Sequence, residues 1–443
     1  MILIDACYII KHFLRYYEEG GKSRDSQSEQ QCSETKLNKM LQNVEPPMQS
    51  IYRVPERIRK NKPEAYTPRI VSIGPFHRAR NDDKKDHIFE SMEELKQKYL
   101  KGFLNRTQVP MGDFVLSLQI LEERIRSCYA EPIKYNSDDF LKMIITDACF
   151  IIELFLQCHT YKDWEGNPLL EKPWMLTDIV GDLTLLENQL PFFVLEQLYR
   201  FTGMNSKFPS FLEITFNYFK KNGMGKVCPI KCPQHLTDLL RTSIISSSKF
   251  HLRGPKECKR IEHLYSANQL WEAGLQFKVS SPNECLIDLT FSDEGVLTMP
   301  MLNVNQDTEI LFRNIMAFEH CHLLDTAIIT QYVAILGFLI NTEKDVNVLI
   351  DNKIIVNRLG DTNAVATMIN SLSSAVSMPL FNLDYFTLCN NLNNFYKKPH
   401  NMYKAIFIHE YFNTPWKIAS TVAAVVLLLL TLIQTICSII SLF

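Results

Sequence analysis

Apolar and polar positions alternate with different periods along the chain, and each change of period marks a change of structure. From Glu18 to Pro47, Ser, Gln, Glu, Lys and Asn dominate, and almost no aliphatic residue occurs before Leu37. Such a stretch buries too little apolar surface to offset its ordering entropy, so residues 22–50 read as a flexible polar linker. From Ile51 onward the pattern turns helical. Phe140, Leu141, Ile144, Ile145, Ala148, Ile152 and Phe155 recur at three- and four-residue steps behind a cap at Ser137. Phe192, Leu195, Leu198 and Tyr199 repeat the stripe, with Pro191 in the first turn.

Between Leu275 and Val304 the period shortens. Gln276–Val279 and Cys285–Phe291 alternate as strands, and Ser292–Gly295 supplies a turn into Val296–Met299. This predicts a small antiparallel sheet over about 275–304. Helices resume from Glu309 to Phe395. The fold class is therefore mainly α-helical (α+β), a globular body over 51–396 with a small antiparallel β-sheet.

A short polar juxtamembrane stretch, 397–417, then leads into an apolar run. Ile418–Phe443 holds 26 residues without a charge. About 20 apolar residues cross the hydrocarbon core as a helix, so 418–440 reads as one C-terminal transmembrane helix. Lys397, Lys398, Lys404 and Lys417 precede it and no charge follows. The positive-inside rule then puts the body in the cytosol, with the anchor in the plasma membrane or an endomembrane. The amino-terminal apolar stretch Met1–Leu14 is broken by Asp5 and Lys11 and lacks a basic n-region, so it is a poor secretory signal. It also echoes Met143–Leu156 at nine of fourteen positions. No third copy follows, so residues 1–21 read as an extra segment copied from 143–156 rather than as a repeat architecture.

Composition narrows the function classes. The 443 residues are 46% hydrophobic and 22% charged, which is ordinary globular usage. A net charge of −2 argues against a nucleic-acid binder. Twelve scattered cysteines, several inside apolar helical runs, fit a reducing compartment better than a disulfide framework.

Few clusters suggest chemistry. Cys228, Cys232 and His235 have a loosely zinc-like spacing, but Pro229 and Pro233 intervene and a fourth ligand is missing nearby. In Glu319-His320-Cys321-His322 the histidines are two apart on a helix and point to different faces. Gly223-Met-Gly225-Lys226 lacks the frame of a phosphate loop, and nucleophile-elbow, dinucleotide and kinase signatures are absent. Neither a metal site, a cofactor nor a catalytic residue is therefore assigned. Asp182 and Glu187, with Asn188 and Gln189 beside them, offer two carboxylates that would do acid–base work if one were buried; the alternative is that they cap and brace the turn before Pro191. Arg53, Arg57, Arg59, Lys60 and Lys62, followed by Arg69, His77, Arg78 and Arg80, form a basic run that would suit anionic headgroups or a solvated face. Arg69, His77, Asp182, Glu187, Asn188 and Gln189 are the binding candidates.

Several ordered phrases resemble one family. Ile51-Tyr-Arg-Val-Pro55, Tyr66-Thr-Pro-Arg-Ile-Val-Ser-Ile-Gly-Pro-Phe-His77 and Leu186-Glu-Asn-Gln-Leu-Pro-Phe-Phe193 are similar to the plant "domain of unknown function 247", also called uncharacterised protein family 0481. Ala267–Phe277, Gly295–Pro300, Arg313–Glu319, Glu343–Val346 and Tyr411–Trp416 extend the likeness over Ile51–Phe443. The resemblance implies a plant membrane protein with one C-terminal span and no established catalytic residues. Some grass members are implicated in self-incompatibility, which implies cell–cell recognition or signalling. Two departures stand out: the extra Met1–Gly21 segment, and Tyr403 where the family often has Trp. The expected function is a membrane-anchored recognition or scaffold protein, held in the bilayer through 418–440 and binding a protein partner, not an enzyme. The alternatives are an enzyme acting at the membrane through Asp182, Glu187 or His77, and an outward-facing receptor ectodomain.

Overall fold

A computed structural model describes residues 49–78, 87–160, 169, 172–224, 227–229, 231–246, 248, 259–282, 284–375, 380–411 and 415–440. The segment echoing 143–156, all but the end of the polar linker, Arg80 and Gly225-Lys226 lie outside these residues. The chain divides into two compact units, one drawn from Met1–Arg53, Thr67–Gly223 and Lys231–Leu236, the other from Val54–Tyr66, Met224–Ile230 and Thr237–Phe443.

The first unit is helical: α1 (His87–Thr107), α2 (Met111–Gln119), α3 (Glu122–Ser127), α4 (Ser137–Thr160), α5 (Pro173–Thr184), α6 (Phe192–Phe201) and α7 (Phe211–Lys221). α4 is the pillar. Every residue from Met143 to Leu156 is buried, and α1, α2, α6 and α7 pack around it. A helix that is apolar all round belongs in a core, where each large side chain contributes roughly 1.5–3 kcal/mol by leaving water. Its rings interlock with those of its neighbours: Tyr99 meets Phe150 edge-on at 5.2 Å between centroids, and Phe155 meets Tyr218 at 4.4 Å. The cap is one residue earlier than the pattern suggested. Asn136 Oδ1 accepts the Asp139 N–H at 2.8 Å, and Ser137 is the first helical residue. Pro191 likewise sits just outside α6, at its N-cap.

The second unit contains α8 (Leu236–Ile245), α9 (Ala267–Glu272), α10 (Gln306–His322), α11 (Ile328–Leu339), α12 (Glu343–Asp351), α13 (Thr362–Ala375), α14 (Leu383–Lys397), α15 (Pro399–Tyr411) and α16 (Pro415–Ile440). Its sheet strands are β1 (Gln276–Val279), β2 (Thr290–Ser292), β3 (Val296–Met299), β4 (Leu302–Val304) and β5 (Ile355–Asn357). The minor sheet stands where the alternation placed it, but its pairing is mixed. β2 and β3 form the antiparallel hairpin through Ser292–Gly295, while β1 joins the other edge of β3 in parallel. Gly295 turns that hairpin at φ +83°, and a Cβ there would lie 2.6 Å from the Phe395 ring. Cys285–Leu289, expected as strand, forms turns and loop, and only Thr290–Ser292 pairs. β4 and β5 form a separate parallel pair.

α10 starts on a capping box, with Asn305 Oδ1 accepting the Thr308 N–H at 2.8 Å and Thr308 Oγ1 accepting the Asn305 N–H at 3.3 Å. Glu309–Glu319 on this helix is buried throughout. The juxtamembrane stretch, read as a short polar lead-in to the apolar run, contains the helix α15. Within α16, Trp416–Ser438 is apolar enough and, at 23 residues, long enough to cross a membrane, and no part of its most apolar window is covered by the fold.

Candidate functional site

Ile70 to His77 is buried at every residue yet belongs to no sheet. Buried backbone N–H and C=O groups need partners, and here side chains replace the missing strand. The Asp182 carboxylate takes three in a row, the N–H groups of Arg69 at 2.8 Å and of Ile70 and Val71 at 2.9 Å. Asn188 follows, its Oδ1 accepting the Ile73 N–H at 2.7 Å and its Nδ2 donating to Val71 O at 3.0 Å. Asp147 Oδ2 accepts the Gly74 N–H at 2.8 Å. Gly74 has φ +70°, and a Cβ there would lie 2.7 Å from the Gln189 carbonyl oxygen, so only glycine fits.

The residues making these contacts are themselves fixed. Asp182 lies in the last turn of α5, and the loop after it closes the open helix end. Asn188 Nδ2 donates to Asp182 O at 2.9 Å, and Gln189 Nε2 donates to Leu183 O and Leu185 O at 2.8 Å each. Gln189 Oε1 accepts the Leu236 N–H at 2.8 Å, while its carbonyl accepts the Tyr129 hydroxyl at 3.0 Å. His77 Nε2 and Glu187 Oε2 are 3.1 Å apart, and both side chains are buried.

Charge is buried beside this segment. Lys96, fully buried on α1, places its Nζ 2.8 Å from Asp147 Oδ1 and 2.7 Å from Glu93 Oε1, and donates to the Ser72 carbonyl. Arg78 adds a contact to Glu93 at 2.6 Å. A turn and a half further along α4, Glu153 is clamped by Arg106 through Nε at 2.9 Å and Nη2 at 2.8 Å, a fork-on-fork arrangement. Two acids on the buried central helix of the unit are thus paired with cations from α1.

Burial pushes the Asp182 carboxyl up to about 7, against the pull of its three backbone N–H donors. An acid whose folded pKa exceeds its unfolded value takes up a proton on folding. Its contribution to stability therefore grows as pH falls from about 7 toward the usual carboxylate range and is absent above that window. In denaturant titrations of the detergent-solubilised chain, the stability gap between wild type and Asp182→Asn is expected to widen from about pH 7 to about pH 5, by at most about 1.4 kcal/mol per unit. A gap that narrows on acidification would show that the N–H donors win and the carboxylate is anionic.

The six binding candidates occupy this region, and most are consumed by it. Asp182, Glu187, Asn188, Gln189 and His77 are buried, whereas Arg69 offers its backbone to Asp182 and its half-exposed guanidinium to Asp178 at 3.1 Å. Members of the basic run are engaged by neighbours, with Arg53, Arg57, Lys60 and Arg69 exposed. Arg53 pairs with Glu131 at 2.8 Å, Lys62 with Glu309 at 2.6 Å, Arg57 with His320, and Arg59 lies over the Tyr66 ring. His235 is buried with Nε2 3.1 Å from Ser50 O, and Cys232 Sγ points at Glu196. Among the described residues there is no group of three or more metal-ligating side chains. Burial raises the thiols of Cys128 to about 11 and of Cys158 and Cys389 to about 12, which suits packing rather than nucleophilic attack. A shallow groove of about 350 Å³ runs over the sheet of the second unit, lined by Lys278, Thr290, Phe291, Ser292, Glu294, Val296 and Thr298; none of the candidates reaches it.

Pattern reading missed Lys96, Asp147 and Glu153. The available signal was an acid at 147 and another at 153 within an otherwise apolar run, since a buried carboxylate needs a partner. It also missed Glu319, passed over in favour of the neighbouring histidines. Glu319 is fully buried, with Oε1 accepting Arg241 Nε at 2.8 Å and Oε2 accepting both the N–H and the hydroxyl of Thr330, at 2.8 and 2.7 Å.

Residues 51–430 match a family model, DUF247, described as "Plant protein of unknown function". The UPF0481 protein At3g47200 of Arabidopsis thaliana is 31% identical over 423 residues, covering 88% of this chain and 86% of that one. The putative UPF0481 protein At3g02645 of the same plant is 23% identical over 485 residues, covering 87% and 89%. No solved structure matches.

Proposed function

The chain belongs to the DUF247 family of plant proteins of unknown function, and we propose that it is a membrane-anchored recognition or scaffold protein whose body binds a protein partner in recognition or signalling. The observation that carries this reading is the uncovered apolar helix Trp416–Ser438 at the end of a folded body. At 1.5 Å per residue it is about 34 Å long, enough for a hydrocarbon core of about 30 Å. Leaving such a surface in water would cost far more than placing it in lipid. The lysines at 397, 398, 404 and 417 favour a cytosolic body.

The motifs that a catalytic reading would need are engaged elsewhere. Asp182 titrates near neutral pH, as a general base should, but both its oxygens accept backbone N–H groups and it is buried. That favours a scaffolding role for the candidate residues and leaves the exposed surface for recognition.

The full chain, expressed in plant cells and solubilised in mild detergent, is expected to elute as a discrete complex. The same partner protein should accompany it in fixed ratio across preparations. A chain that elutes alone from every membrane source would remove the recognition reading. Turnover of a substrate that is lost in Glu187→Gln, with the fold intact, would replace it with the enzymatic one.

A further inference from the structure

The apolar helix α16 carries one polar side chain that its own backbone does not satisfy. Ser420, Thr431 and Thr435 donate their hydroxyls to carbonyls one turn back in the same helix, those of Lys417, Leu427 and Thr431. Gln434 is different. Its carboxamide brings two N–H donors and a carbonyl acceptor, and the N–H groups of a helix interior are already engaged. Ser438 Oγ bonds the Gln434 backbone carbonyl at 2.8 Å, whereas the Gln434 side chain has no hydrogen-bond partner among the described residues.

Depth makes this matter. Trp416–Ser438 is 23 residues long, with Leu427 at its middle. Gln434 lies about 10 Å beyond that middle, and so about 5 Å inside a hydrocarbon half-layer of about 15 Å. Side chains on a helix lean toward its N-terminus, which carries the amide back toward Thr431 and the bilayer centre rather than out to the nearer headgroups. Lipid tails offer it neither donor nor acceptor.

The face that Gln434 shares shows what can. Ala424, Leu427, Thr431 and Gln434 follow each other at three- and four-residue steps, the seam along which two helices wind at a crossing angle of about 20°. Ala424, with Ser420 a turn before it, is small enough to let a second backbone approach. Val422, Leu429 and Ile436 stand on the opposite side, where bulky apolar side chains suit lipid. No part of the most apolar window is covered by the chain's own fold, so the seam is open along its length. An amide is self-complementary: across a two-fold axis each Gln434 donates an N–H to the carbonyl of the other, at the same depth by symmetry.

We propose that α16 pairs inside the bilayer with α16 of a second copy of the chain, through Ala424, Leu427, Thr431 and Gln434, with the two Gln434 amides hydrogen-bonded to each other. This rests on the reading of Trp416–Ser438 as a membrane anchor. It deepens the recognition reading, because a parallel pair presents two bodies on the same side of the membrane.

The test uses the full chain, labelled after Phe443 with a donor or an acceptor fluorophore and diluted stepwise in phosphatidylcholine vesicles. Energy transfer should persist on dilution in the wild type. Gln434→Leu should weaken the pair about 3- to 30-fold, the scale of one interhelical polar contact, and Gln434→Asn, which keeps an amide, should lie between the two. In a Cys437→Ala background, oxidation of Leu427→Cys should join two copies, and Leu429→Cys, on the opposite face, should leave them separate. A wild type without energy transfer, a Gln434→Leu variant that pairs as tightly as the wild type, or crosslinks as strong at 429 as at 427 would each overturn the inference while leaving the anchor in place. Release of the chain from the vesicles by alkaline carbonate would overturn the anchor reading itself, and the inference with it.

Discussion

Asp147→Ala is expected to lower the unfolding free energy of the chain by about 3–5 kcal/mol, the usual cost of removing one partner from a buried ion pair. Three groups lose a partner at once, among them the Arg78 guanidinium, whose Nη1 lies 3.5 Å from Asp147 Oδ1. The Lys96 ammonium, with no exposed surface, keeps only Glu93 and the Ser72 carbonyl, and the Gly74 N–H loses its acceptor. Lys96→Met should also cost about 3–5 kcal/mol, because it leaves the buried Asp147 carboxylate with only the Gly74 N–H and the Arg78 guanidinium at 3.5 Å. The double variant should be less damaging than the sum of the singles by at least about 1 kcal/mol, as contacting groups in a cycle are. Chemical denaturation in detergent, followed by tryptophan fluorescence, measures all three. Additive losses would mean that Lys96 and Asp147 are not coupled in the folded chain.

Glu319→Ala is expected to be of similar size, again about 3–5 kcal/mol. The carboxylate satisfies the Arg241 guanidinium and the N–H and hydroxyl of Thr330, and the Ile329 N–H lies 3.2 Å from its other oxygen. It thereby ties α10 to α8 and to the first turn of α11. Glu319→Gln should retain part of this, since one amide oxygen still accepts while the amide nitrogen faces donors. The expected order of stability is therefore wild type, then Glu319→Gln, then Glu319→Ala. Substitution of His320, its exposed-side neighbour, should change stability by less than about 1 kcal/mol. Equal effects at 319 and 320 would contradict the placement of the glutamate.

The helices of the first unit were legible because their apolar residues repeat within a few positions. α4 is the clearest case, and its cap moved only from Ser137 to Asn136. The minor sheet was legible from alternation, but strand direction was not. Parallel pairing of β1 with β3 depends on how the chain travels between them, and Cys285–Leu289 on that path forms turns and loop rather than the expected strand. The helix α15 was hidden because Ala405 alone of its apolar residues is buried, so no inward stripe marks a packed face.

The candidate site was legible as a set of phrases and illegible as a structure. Arg69 meets Asp182 across 113 positions and Ile73 meets Asn188 across 115. No local period carries such contacts; only the family resemblance drew attention to both phrases. The alternative that Asp182, Glu187, Asn188 and Gln189 brace the turn before Pro191 was partly visible in their small spacing. Their second task, supplying acceptors to Ile70–His77, follows from that segment being buried without a neighbouring strand.

The most direct measurement of anchoring and orientation is a glycosylation map of the full chain in plant cells, with an acceptor tag appended after Phe443. An anchor through Trp416–Ser438 with a cytosolic body requires the tag to be glycosylated and the chain's own acceptor sequence, Asn105-Arg106-Thr107, to remain unmodified. Glycosylation at Asn105 with an unmodified tag would place the body outside the cytosol and make extracellular recognition the function to pursue.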